Sequence, residues 1–401
     1  MHICLVSPTI ISKDSHWGGI HTHAKLLSNL LSGLGYTVTL IVPSYSQNLS
    51  DKFPSNVNMV DLNEQQKAVD NCNWLKKRLE IISSLHKNNP FSCIISEGNS
   101  AYEFRKLKDL RTLPFFYFVH IPSFTHIYNN WKAVISLKTF FIYFLKTLPR
   151  ILYRIFFWEI PLAHSCTKIL SVSGIKAKQI CKYYFVPEKK IEVVNNWVDL
   201  DFFAPEKEKR NIGREKLSIT QDKIVFLLVG GLWRPKGFHM AIEAFSRVSL
   251  LWPNIILLVC GEGREKQNLT KLAKLKGAEN RIRFLGKVVH TELPLIYNAS
   301  DIFLMPSLMS EGQAYTLIEA MSCGLPVIAT RKGGNIETIG DAGMLVPSGN
   351  IDSFAKTMIS LVKSPEERQR LSLLARKRVM DNFSEEVASN KLKSILSNLK
   401  T

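Results

Sequence analysis

The run Asp301 to Gly334, DIFLMPSLMSEGQAYTLIEAMSCGLPVIATRKGG, limits the fold more than any other stretch of the chain. Ile302 to Met305 is a short apolar run closed by Pro306, the pattern of a parallel strand buried on both faces. After a loop, the pair Glu311-Gly312 precedes a helical segment ending near Cys323-Gly324, where glycine can take the left-handed closing position. Pro326 to Thr330 is a second β-prone run. Strand, loop, helix, strand predicts one right-handed crossover. It sets Glu311 and Glu319 at the start and in the body of a helix just outside the carboxyl end of a parallel strand, where open α/β sheets bind ligands.

The rest of the chain repeats this pattern. Helical segments alternate with short β-prone runs almost throughout, which argues for α/β architecture with parallel sheets. With 401 residues, 46% of them hydrophobic, the chain suits two domains of similar size rather than one. The predicted strands of the first half are His2 to Pro8, Tyr36 to Val42, Cys93 to Ser96, Phe115 to His120, Lys168 to Val172 and Pro187 to Val194. Those of the second half are Ile224 to Val229, Asn254 to Cys260, Ile282 to Leu285, the two strands above, and Gly343 to Pro347. Residues 48 to 90 read as polar and helical. The charged span 196 to 222 marks the domain boundary, giving a first domain over 1–198 and a second over 199–380. The last helix, within 380–401, is expected to return to the first domain.

Seven dispersed cysteines without a CxxC pair fit a reducing compartment. The amino terminus, MHICLVSP, enters a strand directly and shows no secretory signal, so a cytoplasmic location is expected. A formal net charge of +18 predicts attraction to an anionic surface. Nucleic acid is not the expected partner, because no RNP, helix-turn-helix or zinc-knuckle pattern is present. The stretch Trp131 to Glu159, WKAVISLKTFFIYFLKTLPRILYRIFFWE, offers another. Lys138, Lys146, Arg150 and Arg154 interrupt it too often for a spanning helix. It is expected to form two amphipathic segments, one before and one after a kink at Pro149, whose mixed basic and aromatic residues suit the plane of an anionic membrane. Internal packing of the aromatics is the alternative.

Several residues carry candidate chemistry. Amides around Gly312, Gln313, Ala314 and Tyr315 would be the unpaired donors of a helix N-terminus, aimed at an anion. Two carboxylates beside a phosphate repel it, so Glu311 and Glu319 make sense there as acceptors for sugar or ribose hydroxyls. A capping Glu311 with an exposed Glu319 would have the same spacing. The turn Gly230-Gly231-Leu232-Trp233-Arg234-Pro235-Lys236-Gly237 combines glycines with Arg234 and Lys236, an anion cradle or a basic loop. Gly18-Gly19 opens a helix after the first strand, either for backbone approach to a ligand or as a tight turn. His120 ends a strand and is a candidate proton-handling group or a structural histidine, with His126 as its fallback. No His, Cys or acidic cluster has metal-ligand spacing, so no metal is expected.

Glu311 and Glu319, followed by EAMSCGLPVIAT, resemble the E-x7-E signature and the EAMxxGxPVIAT segment of the retaining glycosyltransferase 4 family. The resemblance extends over most of the chain. It covers the Gly18-Gly19 loop, the histidine at His120, and Asn196-Trp197-Val198-Asp199 where the family has NGVD. It also covers Lys236 in a GRLxxxKG-like motif, the turn at Gly263 and the loop at Val288. It implies a GT-B fold of two Rossmann-like domains with parallel sheets facing a cleft, the first holding an acceptor and the second a nucleotide-diphosphate sugar such as a UDP- or GDP-sugar. It implies transfer to a glycan, lipid-linked or small-molecule acceptor with retention of configuration, in cell envelope polysaccharide synthesis. His120, Lys236 and Glu311 would be catalytic. Gly18, Gly19, Arg234, Lys236, Gly263, Val288, Glu311 to Tyr315 and Glu319 would bind the donor, Glu319 through the ribose. The family's arginine falls on Gly231, which carries no charge, so Arg234 would have to reach in. That departure, and Gln313-Ala314 where Phe-Gly is usual, keep a non-catalytic nucleotide or saccharide binder open, as well as an epimerase or phosphorylase on the same fold.

Overall fold

The computed structural model describes residues 1–8, 19–43, 53–62, 72–101, 108–125, 127 and 137–397. The chain divides into two compact units. One holds the described residues up to Asn195 and those from Ala388 onward, the other Asn196–Val387.

The first unit carries β1 (His2–Val6), β2 (Thr37–Val42), β3 (Val57–Asp61), β4 (Cys93–Glu97), β5 (Phe115–Val119), β6 (Lys168–Ser171) and β7 (Ile191–Val193). They form a parallel sheet in the order β3-β2-β1-β4-β5-β6-β7. Burial on both faces explains the unbroken apolar run of β5. Helix Gly19–Gly33 turns His23, Ala24, Leu27, Leu30 and Leu31 inward, a spacing of three and four residues that gives one apolar stripe. Strand β3 lies inside the stretch read as polar and helical. Only Val57 of its five residues is buried, so this edge strand has no apolar run to betray it. From Ala388 onward the last helix, Glu385–Ser397, belongs to this unit, and Lys391 Nζ lies 2.7 Å from Glu192 Oε2 on β7.

The segments expected before and after Pro149 are joined in one continuous helical run. Helical segments Leu137–Ile142, Tyr143–Thr147, Leu148–Arg154, Ile155–Glu159 and Ile160–Ser165 follow one another directly, the second and fourth being π turns. Pro149 and Pro161 are each the second residue after a π turn. Proline lacks an N–H and crowds the carbonyl four residues back, and the wider turn ahead of it accommodates that misfit without ending the helix. Tyr143, Ile155, Leu162 and Ala163 face inward, whereas Phe141, Leu145, Tyr153, Phe156 and Phe157 are exposed.

The second unit carries β8 (Ile224–Val229), β9 (Ile255–Cys260), β10 (Ile282–Gly286), β11 (Ile302–Met305), β12 (Val327–Thr330) and β13 (Met344–Val346), parallel in the order β10-β9-β8-β11-β12-β13. Each coincides with a predicted strand to within about two residues, as expected for element ends. Along β8, Val225 and Leu227 join one apolar layer while Phe226 and Leu228 join the other. Burying side chains of this size stabilises by roughly 1.5–3 kcal/mol each. In both sheets the strand order reverses between the first and fourth strands, at β1/β4 and at β8/β11. Ligands of open α/β sheets bind at the carboxyl side of that reversal.

Candidate functional site

In the second unit, the loops leaving β8 and β11 meet at the reversal. The Pro235 carbonyl accepts from the Leu308 and Met309 amides at 2.8 and 3.2 Å. Gly237 has φ +73°, and a Cβ there would stand 2.0 Å from the Pro306 carbonyl oxygen, so the two loops approach this closely because residue 237 is glycine. The result is that Lys236 Nζ lies 2.9 Å from Glu311 Oε1. Ser307 Oγ donates to the same oxygen at 2.8 Å. The Glu311 side chain is 7% exposed and that of Lys236 27%, so the carboxylate is held inside and the ammonium reaches the surface. Gly334 completes the frame. Its amide donates to the Glu311 carbonyl at 3.0 Å, and a Cβ on it would lie 1.6 Å from the Gly312 carbonyl oxygen.

The helix after this loop begins at Tyr315, with Ala314 as its extended N-cap. Sequence reading set Glu311-Gly312 ahead of this helix and placed the amides of Gly312 to Tyr315 at its N-terminus. The start moves because Gly312 and Gln313 are held in the lead-in: Asn196 donates from its amide to Gln313 Oε1 (2.6 Å) and from Nδ2 to the Gln313 carbonyl (2.8 Å). Glu311 therefore precedes the helix, and the helical amides nearest it are those of Tyr315 and Thr316. Glu319 lies within the helix and is buried. Its Oε2 accepts from Tyr297 Oη at 2.8 Å, and His290 Nε2 stands 3.4 Å from Oε1. Burial, then the neighbouring Glu319, pushes the Tyr297 phenol well above its usual range, so it remains a neutral donor. Tyr297, His290 and Ser307 were not foreseen. They are distant in sequence from the carboxylates, and nothing local distinguishes them.

Arg234 and Lys236 share one short turn but point differently. The Arg234 side chain is 54% exposed, with Nη1 3.7 Å from Glu265 Oε2. Above Gly231 lies the indole of Trp233: a Cβ at residue 231 would be 2.4 Å from Trp233 Nε1. The guanidinium of Arg264 sits over the Trp233 ring, 5.5 Å from its centroid. Gly263 lets the next loop pass close, since a Cβ on it would lie 2.5 Å from the Leu232 carbonyl oxygen. Val288 is half-buried against the apolar layer that includes Met305 and Leu317.

In the first unit, His120 directly follows β5 as expected. The structure brings it to two residues that sequence reading passed over. Glu97 ends β4, and His23 lies on the helix that follows β1. His23 Nδ1 is 2.5 Å from Glu97 Oε1, and His120 Nε2 is 3.8 Å from the same oxygen. Burial and the neighbouring His120 lower His23 to about 4, against the pull of Glu97. At neutral pH it is an uncharged imidazole donating Nδ1–H to the carboxylate. Burial alone would raise Glu97, but the two facing imidazoles outweigh it and bring it to about 2. Among the described residues these three form the group whose ligand atoms, all within 4.8 Å of one another, could converge on a metal ion. The His23–Glu97 hydrogen bond already engages one such atom of each. Gly19 is exposed at the first position of its helix. Gly18 and His126 lie outside the described residues.

The loop carrying His120 is anchored from the long helix. Buried Glu159 accepts from the Ser123 amide (3.0 Å), Ser123 Oγ (2.5 Å) and Arg154 Nε (3.1 Å), and also from the Tyr184 hydroxyl.

Two Rossmann-like units, each with its polar residues gathered at the strand-order reversal, make this a GT-B fold protein, and the chain is related to the glycosyltransferase group 1 and family 4 proteins. Residues 209–378 match the family described as glycosyl transferases group 1, and residues 17–202 match glycosyltransferase family 4. The chain is 30% identical over 223 residues to a GDP-mannose-dependent monoacylated alpha-(1-6)-phosphatidylinositol monomannoside mannosyltransferase of Corynebacterium glutamicum, covering 54% of this chain and 58% of that protein. It is also 30% identical over 243 residues to a UDP-Gal:alpha-D-GlcNAc-diphosphoundecaprenol alpha-1,3-galactosyltransferase of Escherichia coli, covering 59% of this chain and 62% of the other. The matches thus span less than two thirds of either relative's length. Among solved structures, sucrose-phosphate synthase from Thermosynechococcus elongatus superposes with a TM-score of 0.82 at 19% identity, covering 99% of this chain and 98% of that one.

Proposed function

We propose that the protein is a retaining glycosyltransferase that moves a sugar from a UDP- or GDP-sugar to a glycan, lipid-linked or small-molecule acceptor. In this proposal the second domain holds the donor and the first the acceptor. The observation that carries it is the Lys236–Glu311 pair at the β8/β11 reversal, beside the amino end of helix Tyr315–Ser322. A leaving diphosphate gains negative charge as the anomeric bond breaks. The surface-facing ammonium of Lys236 and the first helical amides would stabilise that charge where it develops. Glu311 would accept from hydroxyls of the transferred sugar and Glu319 from those of the ribose, with Gly263, Val288 and the segment Gly312 to Tyr315 lining the donor. Retention of configuration rests on the resemblance of Glu311 and Glu319 to the E-x7-E pattern. His120, Gly18 and Gly19 are the proposed first-domain contacts.

Both relatives named above act, by their names, on lipid-bound acceptors, one with a GDP-sugar and one with a UDP-sugar. An acceptor presented at a membrane therefore has support, and so does peripheral binding of the first unit to the anionic face of that membrane in cell envelope synthesis. Exposed Phe141, Phe156 and Phe157, with Lys146, Arg150 and Arg154 on the same helix, are what such a surface would meet. Among the described residues no helix is long and apolar enough to cross a membrane.

A non-catalytic nucleotide binder is the second reading, favoured by the uncharged Gly231 under Trp233. Calorimetric titration with UDP and GDP, then with UDP- and GDP-sugars, followed by a transfer assay on the best ligand, separates the two. Binding without turnover would leave the binder. No binding of either nucleotide would remove both.

A further inference from the structure

His120 is not a lone histidine at the end of a strand. It follows β5, Glu97 ends β4 and His23 lies on the helix after β1, three elements gathered at the reversal of the first sheet. Glu97 is fully buried, and its Oε2 has no hydrogen-bond partner among the described residues; nor has His120 Nε2. Burying a carboxylate is costly unless polar groups answer it, and an apolar residue at 97 would continue the packing of β4 without that cost. The groups that answer it are the two imidazoles. Phe118 stacks on the His120 ring at 5.3 Å between centroids, and His23 meets that ring edge-on at 4.5 Å. The ring is thus confined from two sides, with a carboxylate oxygen opposite Nε2.

We propose that Glu97 and His23 are positioning residues for His120. His23 donates Nδ1–H to Glu97, which orients the carboxylate toward His120 Nε2. Glu97 in turn favours the His120 tautomer with its proton on Nε2, leaving Nδ1 as the acceptor for a ligand hydroxyl. The separation of 3.8 Å is longer than a hydrogen bond, as is common for such pairs in a ligand-free site, and closes when a ligand engages the ring. The consequence for transfer rests on the function proposed above; the tautomer does not. Glu97 and His23 are the titratable groups shown against the His120 ring.

The test uses the full-length protein labelled with ¹⁵N-histidine, with imidazole nitrogen shifts assigned through His120→Gln. In the wild type above pH 7, His120 is expected as the Nε2–H tautomer. Glu97→Gln and His23→Phe should shift it toward Nδ1–H, while His23→Asn, whose carboxamide supplies a donor near the Nδ1 position, should keep the wild-type pattern. Turnover should fall about tenfold or more in Glu97→Gln and His23→Phe, with nucleotide affinity unchanged. His23→Asn should restore turnover. An Nδ1–H tautomer in the wild type overturns the proposal, and so does an unchanged tautomer in a folded Glu97→Gln. If Glu97→Gln does not fold, the wild-type tautomer and the two His23 variants still decide. If no donor supports turnover, the transferase function fails while the nitrogen shifts continue to report on the positioning.

Discussion

Lys236 Nζ stands 2.9 Å from Glu311 Oε1, joining two loops that are 75 residues apart in the chain. The pair places a cation that can meet a diphosphate beside a carboxylate that can meet hydroxyls. Ser307 shares the carboxylate oxygen, so Glu311 keeps its place when Lys236 turns to a ligand.

Lys236→Ala should therefore lower UDP or GDP affinity by about 10- to 100-fold, the range for losing a hydrogen bond to a charged group. Glu311→Gln should leave the affinity for the bare nucleotide within about threefold and reduce turnover with the nucleotide-sugar. Calorimetry and initial rates read the two effects separately. Unchanged nucleotide binding in Lys236→Ala would remove the phosphate role of that turn.

Glu319 is held by Tyr297 at 2.8 Å and faces His290 at 3.4 Å. Tyr297→Phe should weaken nucleotide binding less than Glu319→Ala, because the first frees an oriented carboxylate and the second deletes it. Comparing ribonucleotide with 2′-deoxyribonucleotide affinities checks the ribose contact. A Glu319→Ala variant that still prefers the ribonucleotide by the wild-type ratio would place that contact elsewhere.

Gly237 holds two of the loops together by close approach. At Gly237 an alanine methyl would sit 2.0 Å from the Pro306 carbonyl oxygen, at φ +73°; at Gly277, with φ +66°, nothing lies within 4 Å. Gly237→Ala is expected to destabilise the protein by about 2–4 kcal/mol, through overpacking and backbone strain together. Gly277→Ala carries backbone strain alone and should cost about 1 kcal/mol. Denaturant midpoints that fall equally would show that the loop contact is not tight in solution.

Acid should loosen the first unit from a definite pH. His23 titrates at about 4 in the folded protein against an ordinary 6.5, so between those values the unfolded chain binds more protons and stability drops as pH falls. Glu97, at about 2 against an ordinary 4.5, adds a further loss as pH falls from 4.5 toward 2. The His23 contribution is on the order of 3 kcal/mol. Urea midpoints measured from pH 7 down to 4 should decline in the wild type and decline less in His23→Asn. Parallel curves for the two would show that His23 is not the group responsible.

The long helix of the first unit presents Phe156 and Phe157, each 58% exposed, on the same helix as its basic residues. Vesicles containing anionic lipid should carry the protein upward on flotation, and added salt should release it. Replacing both phenylalanines by serine should weaken vesicle binding by about tenfold or more without altering nucleotide affinity. Flotation that ignores both salt and these side chains would argue that the ridge serves another purpose.

Much of this architecture was legible before any coordinates. Buried parallel strands such as β8 and β11 write themselves as apolar runs because both faces are covered, and glycine turns mark where loops leave the strands. Strand β3 was not legible, since an edge strand with one buried residue lacks that pattern. Neither was the continuity of the helix through Pro149 and Pro161, because π turns leave no residue signature.

Local chemistry thus determined the elements, their order and the residue types at the carboxyl ends of the strands, all of which depend on neighbours close in the chain. Which of those residues touch was decided by tertiary structure alone: Lys236 with Glu311, Tyr297 with Glu319, and His23 and His120 around Glu97. Such pairings join separate strands through the sheet's crossover order, and the energy that makes them arises only when packing removes water from both partners.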